Sequence, residues 1–106
     1  MIRFMSLSSG SAGNCHFLGN DEKGILIDAG VSLRYMKKYF QNVGLDYDSF
    51  SSVLVTHDHM DHIRSLGSYC KYLHIPVYAT KLLHDAMARH TYTLEHLGAV
   101  RRDLRD

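Results

Sequence analysis

Cysteine is scarce, charge is balanced and long apolar runs are missing, and each shortage removes a class of protein. The 106 residues hold only two cysteines, Cys15 and Cys70, far apart and without a CxxC pair. That excludes a disulfide-stapled scaffold and fits reduced thiols in a cytosolic chain. Neither cysteine belongs to a cluster with metal-ligand spacing, so neither is expected to hold an ion. The formal charge is +1, which leaves no global basic field to recruit a polyanion; an anionic substrate needs local cations or metal ions instead. No apolar stretch reaches the roughly 18 residues of a membrane-spanning helix. Met1-Ile2-Arg3-Phe4 leads into mixed sequence rather than a signal peptide. The expectation is a soluble, cytoplasmic protein with no membrane association. What is present is a 45% apolar and 10% aromatic composition, enough for one modest core and too little for two domains.

The opening reads as a β-meander. Ile2 to Leu7 forms a first strand, and the small residues Ser8-Ser9-Gly10-Ser11-Ala12-Gly13-Asn14 end it. Cys15 to Leu18 resumes as a strand, the 19–24 segment carries turn chemistry, and Ile25-Leu26-Ile27 is a short apolar strand closed by Asp28-Ala29-Gly30. From Ser32, a predicted N-cap, apolar residues recur at Leu33, Met36, Phe40 and Val43, with Gly44 where a helix-ending glycine belongs. Val53 to Val55 is the next buried strand, and Ile63, Leu66, Cys70 and Leu73 mark a second helix running up to Ile75-Pro76. Pro76-Val77-Tyr78-Ala79 follows as a short strand, and Leu82, Leu83, Ala86 and Met87 mark a third helix entered through Thr80. The segment past His90 carries no clear pattern, and residues 101–106 read as a charged tail. Strands joined by helices after a meander predict an α/β fold, one mixed sheet packed with helices.

The chemistry concentrates in Thr56-His57-Asp58-His59-Met60-Asp61-His62, between the apolar strand Val53 to Val55 and the second helix. His57 and His59, at i and i+2 where a strand ends, can face one cation at about 2.0 to 2.1 Å. Asp61 and His62, at the start of the helix, suit a second ion, with Asp58 placed to orient a ring rather than to ligate. The combination points to a dinuclear hydrolytic site, two metals roughly 3.5 to 4 Å apart around a water. Taken singly, Asp61 is better explained as a helix N-cap and each histidine as a solvated loop residue. The order H-x-H-x-D-H behind an apolar strand favours the metal site.

That motif is the signature of the metallo-β-lactamase superfamily, which this sequence resembles. Ser8 to Cys15, Gly24 to Gly30 and Pro76 to Thr80 are further similar to its WalJ (YycJ) group of bacterial DNA exonuclease-like proteins, a likeness covering about residues 1–90. The resemblance implies the N-terminal half of the αββα sandwich over residues 1–106. It implies that His57 and His59 hold one ion, that Asp61 and His62 hold the other, and that Asp61 is the catalytic residue holding the attacking water. Asp28 matches an aspartate that supports the ligands from behind; read from the residues alone it is as well explained as a turn acid. The loop from Ser8 to Asn14 is either a plain turn or a set of backbone N–H groups for a phosphate.

Two divalent ions are implied, zinc first, with manganese or iron chemically acceptable for this donor set. DNA is the implied substrate of the intact enzyme. Superfamily members complete both sites with two further histidines and a bridging aspartate from later sequence. His84, His90 and His96 are expected to be surface residues rather than those ligands, and His16 and His74 a strand and a helix-end residue. Two ligands per ion predict weak metal affinity and little or no turnover from these 106 residues alone. An uncovered sheet face predicts a homo-oligomer or a complementing C-terminal half. The rival readings are a non-catalytic metal-binding or interaction module, and a hydrolase of another ester or thioester.

Overall fold

The computed structural model describes residues 2–10, 13–20, 22–89 and 96–104. The described residues form a six-stranded sheet whose strands lie side by side in chain order. β1 (Arg3–Ser8), β2 (Cys15–Gly19) and β3 (Gly24–Ile27) pair antiparallel as the meander. β3, β4 (Ser52–Leu54), β5 (Val77–Thr80) and β6 (Arg101–Leu104) then pair parallel. Parallel neighbours need crossovers, and helices supply them. α1 (Leu33–Asn42) joins β3 to β4, α2 (Met60–Ile63) and α3 (Leu66–Leu73) join β4 to β5, and α4 (Lys81–Met87) joins β5 toward β6. The fold is therefore α/β with a mixed sheet, as the sequence predicts. It extends one strand further than predicted.

Alternation along the strands sends one set of side chains into the core. Leu7, Cys15, Phe17, Leu26, Val53, Val77 and Ala79 are buried with Met36 and Phe40 of α1 and Leu66, Tyr69 and Cys70 of α3. Phe40 is the hub, meeting Phe17 edge-on at 5.6 Å and Phe50 edge-on at 5.8 Å, an arrangement that adds to simple area burial. The turn between β2 and β3 is shaped around Phe17, since a Cβ on Gly24 would run into its ring. The other sheet face carries Leu18, Ile25, Ile27, Leu54 and Tyr78, each partly open to solvent. Helices thus cover a single face.

Helix ends follow local chemistry. Ser32 Oγ accepts from Tyr35 N at 3.1 Å and Thr80 Oγ1 from Leu83 N at 3.2 Å, the two predicted N-caps. Gly44 takes φ +78 beyond α1, the conformation for which glycine ends helices. The single helix expected over Ile63 to Leu73 is broken at Arg64 and Ser65, because Ser65 N turns to Ala29 O at 3.0 Å. Asp61 does not cap the first piece; His59 occupies that position.

The end of the chain departs most from expectation. Arg101 to Leu104 is an edge strand rather than a charged tail, and Arg101 sits between Asp103 at 2.8 Å and Asp85 of α4 at 2.9 Å. Charged side chains on an edge strand discourage pairing with foreign strands, so a charged sequence and a strand are compatible. With β6 in place, His84 is fully buried and not at the surface. Its Nε2–H is shared between Val77 O at 3.1 Å and Arg102 O at 2.9 Å, tying α4 to the seam of β5 and β6. Burial holds the His84 pKa below the usual histidine value. His90 lies outside the described residues.

Two outcomes follow from this packing. Phe40→Ala removes the hub of the aromatic cluster and is expected to lower unfolding free energy by about 3 to 5 kcal/mol in denaturant titration. The depressed His84 pKa means that the unfolded chain takes up the proton first as pH falls through about 6.5, so acid lowers stability. Melting curves should show a shallower acid loss in His84→Gln, which keeps an N–H donor but does not titrate.

Candidate metal centre

The site forms where parallel strands end. β3 and β4 are in register through Ile27 and Leu54, so the residues that follow, Asp28 and Thr56 onward, emerge at the same sheet edge, the usual place for sites in such sheets. Asp28 N donates to Leu54 O at 2.8 Å, extending the pairing by one step. Asp28 then takes φ +66, an uncommon conformation for a residue with a side chain, tolerated best by aspartate and asparagine. This turn points a carboxylate, 2% exposed, at the loop beyond β4.

Among the described residues, the hydrogen bonds to that carboxylate come from the motif. Asp28 Oδ1 accepts from Thr56 N at 2.7 Å, and Oδ2 accepts from Thr56 Oγ1 at 2.6 Å. Oδ2 also meets His62 Nδ1 at 2.7 Å. An ionised carboxylate only accepts, so His62 carries a proton on Nδ1, and in the neutral ring Nε2 is then the lone pair. The Thr56 hydroxyl spends its one hydrogen on Asp28. Its oxygen, 2.9 Å from His57 Nδ1, can therefore only accept, and His57 is the same tautomer. A single buried aspartate thus sets two rings, one directly and one through Thr56, so that both present Nε2.

The motif side chains gather around those atoms. Ring centres of His57 and His62 are 4.5 Å apart, those of His57 and His59 5.7 Å, and those of His59 and His62 6.3 Å. Asp61 Oδ2 lies 3.9 Å from His62 Nε2. Asp28, His57 and His62 each have a donor atom within 4.8 Å of the others. The two oxygens of Asp28 already accept three hydrogen bonds, two from Thr56 and one from His62. Asp58 makes no hydrogen bond to a ring among the described residues; it borders a cavity of about 500 Å³ with Thr56, Leu83 and Leu104.

Cys15 is buried close enough to Asp28 to feel its charge. Burial, with the nearby negative charge of Asp28 second, pushes its thiol up to about 12, and Cys70 reaches about 12 through burial. In the metal-free chain both therefore stay protonated at neutral pH, packed as small apolar side chains. Two residues that sequence reasoning left without a role join the site. Thr56 was legible only as the first letter of the motif, and Gly30 only as a turn residue. A Cβ on Gly30 would collide with Asp61 O, so its absence lets the two loops touch.

Imidazole nitrogens freed on one side by hydrogen bonds on the other, with a carboxylate beside them, are the donor set of a divalent cation. The site lies within a recognisable family. The metallo-beta-lactamase superfamily pattern matches residues 9–99. Exodeoxyribonuclease YycJ of Bacillus anthracis is 41% identical over 86 residues, covering 81% of this chain and 33% of that protein. Exodeoxyribonuclease WalJ of Streptococcus pneumoniae serotype 2 is 29% identical over 91 residues, covering 86% of this chain and 34% of that protein. MEM-A1, a subclass B3 metallo-beta-lactamase isolated from a soil metagenome library, shares the fold with TM-score 0.71 at 14% identity, across 97% of this chain and 43% of its own. The chain spans about a third of the length of the curated relatives it matches. On the match across most of its length, the chain belongs to the metallo-beta-lactamase superfamily.

Proposed function

We propose that these residues are the first half of a divalent-metal hydrolase centre acting on DNA phosphodiesters, in the manner of a 5′–3′ exonuclease. The observation that carries the reading is the Asp28–Thr56–His57 and Asp28–His62 hydrogen bonding, which fixes two imidazoles with Nε2 outward. The names of the two relatives support DNA over another ester. His57 and His59 would hold one ion, and Asp61 and His62 the other. Zinc suits this donor set first, with manganese and iron acceptable.

Bound divalent ions would supply Lewis acidity toward phosphate oxygens and make a water acidic enough to attack near neutral pH. The chain's own residues do the positioning. Asp28 aims both rings through hydrogen bonds at their Nδ1 sides, and Asp61, partly exposed, can accept a hydrogen bond from the attacking water. A cytoplasmic location belongs to the same reading, supported by two free, buried thiols. So does a covering layer on the open sheet face, supplied by a second copy or by further sequence.

Metal titration of the purified chain tests the centre. Zinc uptake is expected, and His57→Ala or His62→Ala should weaken it sharply. Asp28→Asn, which cannot accept from all three donors, should cost about 10- to 100-fold in affinity. Uptake that survives loss of both histidines contradicts the assignment. For the chemistry, metal-dependent release of nucleotides from end-labelled linear DNA by the protein carrying this segment, lost in Asp61→Ala, is the expected result.

A further inference from the structure

Asp61 faces the site from a helix of four residues, too short to hold a side chain by itself. Its neighbours on the far side come from the loop between β1 and β2. Asn14 N donates to Asp61 O at 2.6 Å. The Asn14 side-chain Nδ2 donates to Asp61 Oδ2 at 3.0 Å and approaches Asp61 O at 3.3 Å. The same Asn14 is anchored in turn. Its Oδ1 accepts from Gly10 N at 3.2 Å, Nδ2 also reaches Gly10 O at 3.0 Å, and its carbonyl accepts from Gly30 N at 2.9 Å. Every polar atom of the residue is engaged, with the two amide hydrogens divided between Gly10 and Asp61.

We infer that Asn14 is a positioning residue for the metal centre: its amide fixes the Asp61 carboxylate in the orientation that faces His62. The inference rests on the proposed metal role of Asp61. A carboxylate 30% exposed otherwise samples several rotamers, and ordering it for a cation has an entropic cost that a pre-made hydrogen bond removes. The chemistry of the amide matters. A lysine or arginine at this place would also bind the carboxylate, but would neutralise it and repel an incoming cation. An amide donates while leaving the full negative charge for the ion. The amide binds the same Oδ2 that lies 3.9 Å from His62 Nε2; it takes one lone pair of that oxygen and leaves the second for a cation, as an outer partner that sets a ligand's geometry does. This assigns a purpose to the end of the small-residue loop distinct from cradling a phosphate.

Cobalt(II) titration followed by visible absorption, with zinc(II) competition, separates the possibilities when run beside metal-free thermal melts. Asn14→Ala should bind about 10- to 100-fold more weakly than the parent, with a changed cobalt spectrum and a metal-free melting temperature close to the parent's. Equal affinity and an unchanged spectrum in Asn14→Ala overturn the inference while leaving the metal centre standing. If Asn14→Ala does not fold, Asn14→Asp, which keeps the acceptor for Gly10 N but sets a carboxylate against Asp61, is judged by the same two results. Absence of any uptake by the parent chain overturns the metal reading itself, and is recognised because Asn14 then has no part in the result.

Discussion

The Asp28 carboxylate is the constraint around which the rest is arranged. Placed at the end of a central strand in a left-handed turn and withdrawn from water, it would be costly as an isolated charge. It receives three hydrogen bonds from Thr56 and His62, so its burial and the order of the motif are one fact. The hydrogen bonds run in one direction, from ring to hydroxyl to carboxylate on the His57 side. That direction leaves both Nε2 atoms as lone pairs facing outward. Charge-assisted bonds of this kind are stronger than neutral ones, which suits a loop with only a four-residue helix behind it.

The sheet delivers this arrangement through its change of direction. The antiparallel meander ends at β3, and from β3 onward the strands run parallel, so the carboxyl ends of β3 and β4 share an edge. Neither hairpin alone would bring Asp28 beside Thr56. The loop after β1 closes the site from the opposite side, and Gly30 makes the approach of Asn14 and Asp61 sterically feasible. The core beneath, centred on Phe40, holds α1 and α3 against the sheet and so fixes where the strands end. Three segments far apart in sequence therefore meet at one edge.

How much of this was legible depended on whether the signal was local. The strands of the meander, the helix from Leu33 and its Ser32 cap, and the H-x-H-x-D-H cluster are visible because periodicity, turn residues and ligand spacing are short-range patterns. Asp28 was ambiguous, since a turn acid and a buried orienting group look alike until Thr56 and His62 are placed beside it. Asn14 and Gly30 gave no sign of their contact with Asp61, a pairing 47 residues distant in the case of Asn14. The strand at Arg101 to Leu104 was hidden for a different reason. Its charges suggested a tail, while its place is decided by backbone pairing to β5 and by the Arg101–Asp85 ion pair with α4. His84 was misjudged with it, because its burial depends on that strand.

Whether Asp28 sets the tautomer of two histidine rings is read by long-range proton–nitrogen correlation NMR of the imidazoles in the metal-free chain, at a pH where the rings are neutral. His57 and His62 are predicted to be protonated at Nδ1 and bare at Nε2, with their Nε2 resonances the ones that move when zinc is added. Rings found protonated at Nε2, or Nδ1 resonances that respond to zinc instead, would contradict the account.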